Sequence, residues 1–161
     1  MARTAINPVV LSTPSPQGLT KVRMLAEDSK TWKKGEFCFL TSGTVTPLVA
    51  TGSTAIYGIF AEDQATSTST STVEVYKLED GTRLKMFVMT NGVAATAATA
   101  EIGVKYGAEG LSNVSYLDTG TATGQFEVDS AGSTNNDLED AKMDMDAAPG
   151  VVEVTFRALV S

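Results

Sequence analysis

From Thr20 onward the apolar residues fall in short runs of four to nine, divided by clusters of Gly, Ser, Asn and Asp. Runs of that length between turn signals predict strands of a sandwich or barrel. The expected strands are Thr20 to Leu25, Glu36 to Leu40, Thr44 to Val49, Ile56 to Ala61, Val73 to Leu78, Thr82 to Thr90, Ile102 to Tyr106, Val114 to Leu117, Gln125 to Val128 and Val151 to Val160. The last has the cleanest period of two. Val152, Val154, Phe156, Ala158 and Val160 share one face, with Glu153, Thr155 and Arg157 on the other.

Between two of these runs stands Asp80-Gly81. Both residue types tolerate the positive φ that a type I′ turn needs at its two central positions, so the pair predicts a hairpin. That hairpin sets Val75 opposite Met86 and Val73 opposite Val88, with Glu74 against Phe87 and Tyr76 against Lys85 behind. The tract "TSTSTST" just upstream has no apolar residue to fix a register, so it reads as a mobile surface loop or, through threonine's β propensity, as an edge strand. Val93 to Glu101 is Ala-rich but too short for a self-standing helix, and a single turn or irregular link is expected there. Ser133 to Asp146 offers N-cap candidates, acids in a first turn and Pro149-Gly150 beyond, which predicts a short helix or helical loop.

The first eighteen residues differ in kind. Three of the five prolines lie here, and Pro14 and Pro16 favour extended backbone. The chain therefore divides into an extended arm, residues 1–18, and a β domain, residues 19–161. The fold class is all-β, a single compact barrel or sandwich of about eight to ten strands outside which the arm lies. The arm reads either as a disordered tail or as a strand added to a neighbouring chain. Val9, Val10 and Leu11 are apolar for a solvated tail, and Ile6, Pro8, Val9, Val10 and Leu11 are the candidate partner-binding residues.

Composition narrows the chemistry. Thr and Ser supply 35 of the 161 residues, a texture that favours strands and turns. A net charge of −7 with scattered Lys and Arg opposes binding to a phosphate backbone, so nucleic acid is not expected as a partner. No apolar stretch approaches the ~18 residues of a spanning helix and no signal-peptide core follows Met1, so no membrane is expected and the product should be soluble where it is made. The single cysteine, Cys38 in "EFCFL", reads as a buried small hydrophobe. Histidine is absent, which removes the commonest general base and metal ligand. Neither a zinc set nor a Gly-rich phosphate loop can be assembled, and no cofactor is expected.

The acid pairs Glu62-Asp63, Glu79-Asp80 and Glu139-Asp140 point to opposite faces of any strand, so none forms a facing acid–base pair, and solvated turn acids are the simpler reading. Asp137, Glu139, Asp140, Asp144 and Asp146 could offer oxygens to Ca²⁺, but their spacing lacks the required pattern and turn glycine. Trp32, alone between polar neighbours, reads as core or rim packing rather than a sugar platform. No enzyme is expected.

The series "KKGEFCFLTSGTVTPL", "IYGIFAEDQA", "VEVYKLEDGTRLKMFV", "IGVKYGAEG" and "VEVTFRALV" resembles the small β-rich head proteins of tailed bacteriophages, the capsid decoration or cement proteins and related minor head proteins. Chains of that kind open with an extended arm, use "KxGxxVxL" and "xxGIxxxD" strand starts, and carry a "VxVYxxxxGTxxxxxV" hairpin, here Val73 to Val88. The likeness spans Thr20 to Ser161. It implies a structural virion protein made in the host cytoplasm, seated on the outer capsid surface against the major capsid protein, a homo-oligomer with the trimer favoured. It carries no active site. The alternative is a virion surface module that contacts a host receptor or glycan.

Overall fold

The structure, a computed structural model, describes residues 5–48, 55–121, 123–131 and 148–158. It is all-β. Among these residues the regular elements are twelve strands and one 3-10 turn, Ala97–Thr99, which falls where a single turn or link was expected. The predicted helix near Ser133 and the acidic segment beyond it lie outside the described residues.

Five strands form the first sheet: β2 (Lys21–Leu25), β3 (Phe37–Thr41), β4 (Thr44–Pro47), β5 (Gly58–Phe60) and β6 (Thr72–Lys77), in the order β2-β6-β5-β3-β4. A parallel bridge between Ala26 and Val45, with the Glu27 N–H donating to the Val45 carbonyl, brings the two ends together and closes a small barrel. Alternation fills it. Cys38, Val45, Phe60, Val73 and Val75 point inward with Ala26 and Trp32, all essentially inaccessible. Trp32 stacks on Phe60 at 4.4 Å and donates its indole N–H to the Glu62 carbonyl, so it is a core residue.

The second sheet contains β1 (Val9–Ser12), β7 (Arg83–Thr90), β8 (Val93–Ala94), β9 (Lys105–Leu111), β10 (Val114–Asp118), β11 (Phe126–Ala131) and β12 (Val151–Phe156). The ring β7-β10-β9-β11-β12 closes on itself through five residue pairs between β12 and β7, from Val151↔Phe87 to Thr155↔Arg83. Leu84, Met86, Val88, Leu117, Phe126, Val128, Val152, Val154 and Phe156 fill this barrel. Phe37, Leu48, Ile56, Ile59 and Leu78, from the first barrel's outer side and its linkers, join the same cluster. Phe37 stacks on Phe126 at 5.0 Å, so the two barrels share a core at their junction.

Two expectations need correction. Asp80-Gly81 does make a turn, but not a hairpin: β6 pairs with β2 and β5, whereas β7 pairs in the other sheet. The Thr82 N–H donates to the Glu79 carbonyl across the turn, and of the two central residues only Gly81 has positive φ, +94°. That is type II chemistry, which lacks the twist needed to fold one strand back on the next. The turn instead carries the chain from one barrel to the other. The strand expected to end at Tyr106 runs on to Leu111 as β9. Its "GAEG" is not a turn, because a Cβ on Gly110 would lie 2.2 Å from the Leu48 carbonyl oxygen; the glycine answers a close approach of backbone.

The Thr/Ser tract forms a loop up to Ser71, with β6 starting at Thr72. Ser67 is buried within it. Its N–H donates to the Lys30 carbonyl, its carbonyl accepts from Ser29, and its hydroxyl accepts from the Lys30 N–H and donates to the Glu27 carbonyl. Alternating hydroxyls here satisfy backbone rather than line a sheet.

Candidate partner-binding cleft

The arm residues come together along one seam. β7 splits its partners on one edge, pairing with β1 through Arg83 to Lys85 and with β10 at Val88 and Met89. The arm occupies the fork between them. Asn7 fixes it there: its Oδ1 accepts from the Ser115 N–H at 2.8 Å, and its Nδ2 donates to the Asn113 and Lys34 carbonyls. Ala5 packs farther along, against the outward-facing pair Phe87 and Val151. The segment that read either as a disordered tail or as a strand for a neighbouring chain is a strand, and it pairs with its own barrel.

Pairing in cis leaves half of it open. Val9 sits opposite Lys85 and Val10 opposite Leu84, with a bulge before Ser12. Val9 and Leu11 are half-buried while Val10 is 36% exposed. Ile6 is exposed too, and Pro8 is buried. Pro8 and Val10 line an apolar cleft of about 340 Å³ between β1 and the first barrel, whose other walls include Leu19, Ile59, Phe60 and Tyr76. Ile6 and Pro8 line a shallower depression that continues it past Lys33, Lys34, Gly35 and Asn113. So Ile6, Pro8 and Val10 face the crease between the barrels, and Val9 and Leu11 do not line it.

Only Lys33 and Lys34 bring charge to these walls among the described residues. Their backbone N–H groups are held by acids, Lys33 by Glu36 at 2.5 Å and Lys34 by Asp63 at 2.7 Å. Their ammonium groups are exposed and make no ion pair within 4.0 Å among the described residues. No sequence pattern pointed to these lysines or to Ile59 and Tyr76, because the crease exists only once the barrels pack.

The carboxylates with catalytic potential are committed elsewhere. Besides Asp63, Glu62 accepts from the Glu74 N–H and Asp80 from the Ala158 N–H, so these turn acids cap backbone. Glu139 and Asp140 lie outside the described residues. Cys38 is buried, and burial pushes its thiol up to about 12, which removes thiolate chemistry at neutral pH. One pair was not anticipated. Glu109 and Asp118 lie diagonally across β9 and β10, both almost fully buried beneath the β7–β8 turn. Asp118 accepts from the Asn91 and Gly120 N–H groups and from the Thr121 hydroxyl. Glu109 accepts from the Gly92 N–H; burial, and then the Asp118 charge, hold its carboxyl above the ordinary carboxylate range. The result is two buried acids side by side, their donors drawn from the turn above them and from the Thr121 hydroxyl.

No protein-family model matches the chain, and no curated protein matches its sequence.

Proposed function

We propose that this chain is a structural virion protein, a decoration protein that sits on the outer surface of an assembled phage head and braces joints between major capsid protein subunits. The reading starts from the resemblance in strand and turn pattern. The observation that carries it furthest is the crease itself: three of the five arm residues singled out from sequence turn toward an open, largely apolar cleft between two barrels that share a core. A rigid body with one such crease suits a clamp better than a carrier of chemistry.

Binding only the assembled joint would stabilise it by mass action, roughly 2.7 kcal/mol per site at a hundredfold excess over the dissociation constant. A trimer would add to this through linked contacts. Heads depleted of the protein should assemble but lose integrity at lower temperature, and recover when purified protein is returned. Depleted heads as heat-resistant as decorated ones would overturn the reading and favour receptor or glycan contact, which a glycan array would detect.

A further inference from the structure

We propose that the crease between the two barrels is an acceptor for an extended polypeptide segment in which apolar residues alternate with acidic ones, laid along the outer edge of β1. Three independent features select that occupant. β1 ends its sheet path, so the edge it turns away from β7 has no strand partner among the described residues. An unpaired edge takes another extended backbone by main-chain hydrogen bonds.

Beside that edge lies the apolar cleft of about 340 Å³, with Val10, Leu19, Ile59 and Tyr76 in its walls. In an added strand alternate side chains share a face, so every second residue would reach this cleft and those residues must be apolar. The intervening residues meet the mouth of the crease, where Lys33 and Lys34 present their ammonium groups in a chain whose net charge is −7. Two ammonium groups with no ion pair within 4.0 Å among the described residues, their nearest acids Glu36 and Asp63 already engaged by backbone N–H groups, complement carboxylates and repel a basic segment. The bulge in β1 and the missing N–H of Pro8 shorten the usable edge, which limits self-pairing between copies and leaves selection to the cleft and the lysines.

This inference rests on the decoration reading only in naming the donor as an arm or loop of a shell subunit; the chemistry of the segment is set by the crease. The probes are two blocked peptides, acetyl-Val-Asp-Val-Asp-Val-Asp-amide and acetyl-Val-Lys-Val-Lys-Val-Lys-amide, titrated into the full-length protein and followed by backbone amide NMR. The acidic peptide should move the amides of Val10, Leu19, Gly35 and Ile59, with affinity that rises as salt is lowered, and the basic peptide should not. A Lys33→Glu/Lys34→Glu variant should weaken the acidic peptide by about tenfold or more while the remaining spectrum stays unchanged. Val10→Asp should remove the response while leaving β7 and β12 amides in place. Equal response to both peptides, or none to either, overturns the inference. The lysine variant also separates the two proposals: undiminished occupancy on heads would sink the crease as the contact and leave decoration standing, whereas acidic-peptide binding by a protein that never occupies heads would do the reverse.

Discussion

Both sheets close into five-stranded rings, yet they close in different ways. The first barrel meets itself through one residue bridge, Ala26 with Val45, and one further backbone bond from Glu27. The second meets itself through a full strand pair of five registered residues. The first has an interior plugged by the Trp32–Phe60 stack and an outer side that is apolar where β3 and β5 turn toward its neighbour. The second buries charge on its outside: Lys85 and Glu153 face each other across β7 and β12, and Arg83 reaches Glu153 at 3.4 Å and Asp129 at 3.6 Å. One ring is sealed by its filling and the other by its stitching. A shared core at Phe37 and Phe126 lets the weaker seam lean on the stronger.

The most severe test of that dependence is Phe126→Ala. It removes a ring in contact with both Phe37 and Phe156, and a buried Phe replaced by Ala costs about 3–5 kcal/mol. If the barrels depend on one core, denaturant unfolding should remain a single transition at a lower midpoint, seen equally by Trp32 fluorescence in the first barrel and by far-UV dichroism. Two separated transitions would show that the rings stand independently.

A smaller effect is expected from Asn7→Ala, which frees the arm without touching either interior. It leaves the Ser115 N–H without its acceptor, a loss of about 1–2 kcal/mol. Hydrogen exchange should quicken in Val9 to Ser12 while Leu84 and Val154 keep their protection. Acceleration throughout β7 would mean that the arm is part of the second barrel's closure.

What could be read from the sequence follows from how local each feature is. Alternation in Val151 to Phe156 and the apolar run of Phe37 to Leu40 are written within a few residues, and both strands start within one residue of where they were expected, although the last one, expected to run to Val160, ends at Phe156. The Asp80-Gly81 turn was legible as a turn; its destination was not, because turn chemistry says nothing of which sheet the next strand enters. Gly110 read as punctuation although it lies inside β9, since its need for glycine comes from Leu48, far away in sequence. Ile6, Pro8 and Val10 could be suspected from their apolar character. Their counterparts across the crease could not, and nothing around Glu109 announced a partner in Asp118.

That acid pair supplies the mildest test, and it has a counterpart in the first ring. Glu109 binds its proton more tightly folded than unfolded, where its value is near 4.5. Its contribution is therefore complete below about 4.5 and declines as pH rises through the elevated folded value. Glu36 in the first barrel is raised by burial as well and acts in the same direction. Glu109→Gln should thus reduce, not abolish, the fall in melting temperature with rising pH, so that the variant gains on the parent above pH 4.5. Parallel pH profiles for the two proteins would show that Glu109 does not set that slope.

The start of β7 also has a consequence in time. Leu84 and Lys85 are flanked by β1 on one edge and β12 on the other, the first and last strands among the described residues. A ribosome delivers β1 well before β7, and β7 well before β12. Residues 21–77 hold every strand of the first ring and can close it while synthesis continues. The second ring must wait, its opening strand exposed, until Val151 to Phe156 emerge to clasp it. The same late strand receives the Gly81 N–H at the Phe156 carbonyl, so the link between the rings is latched only when the last strand arrives.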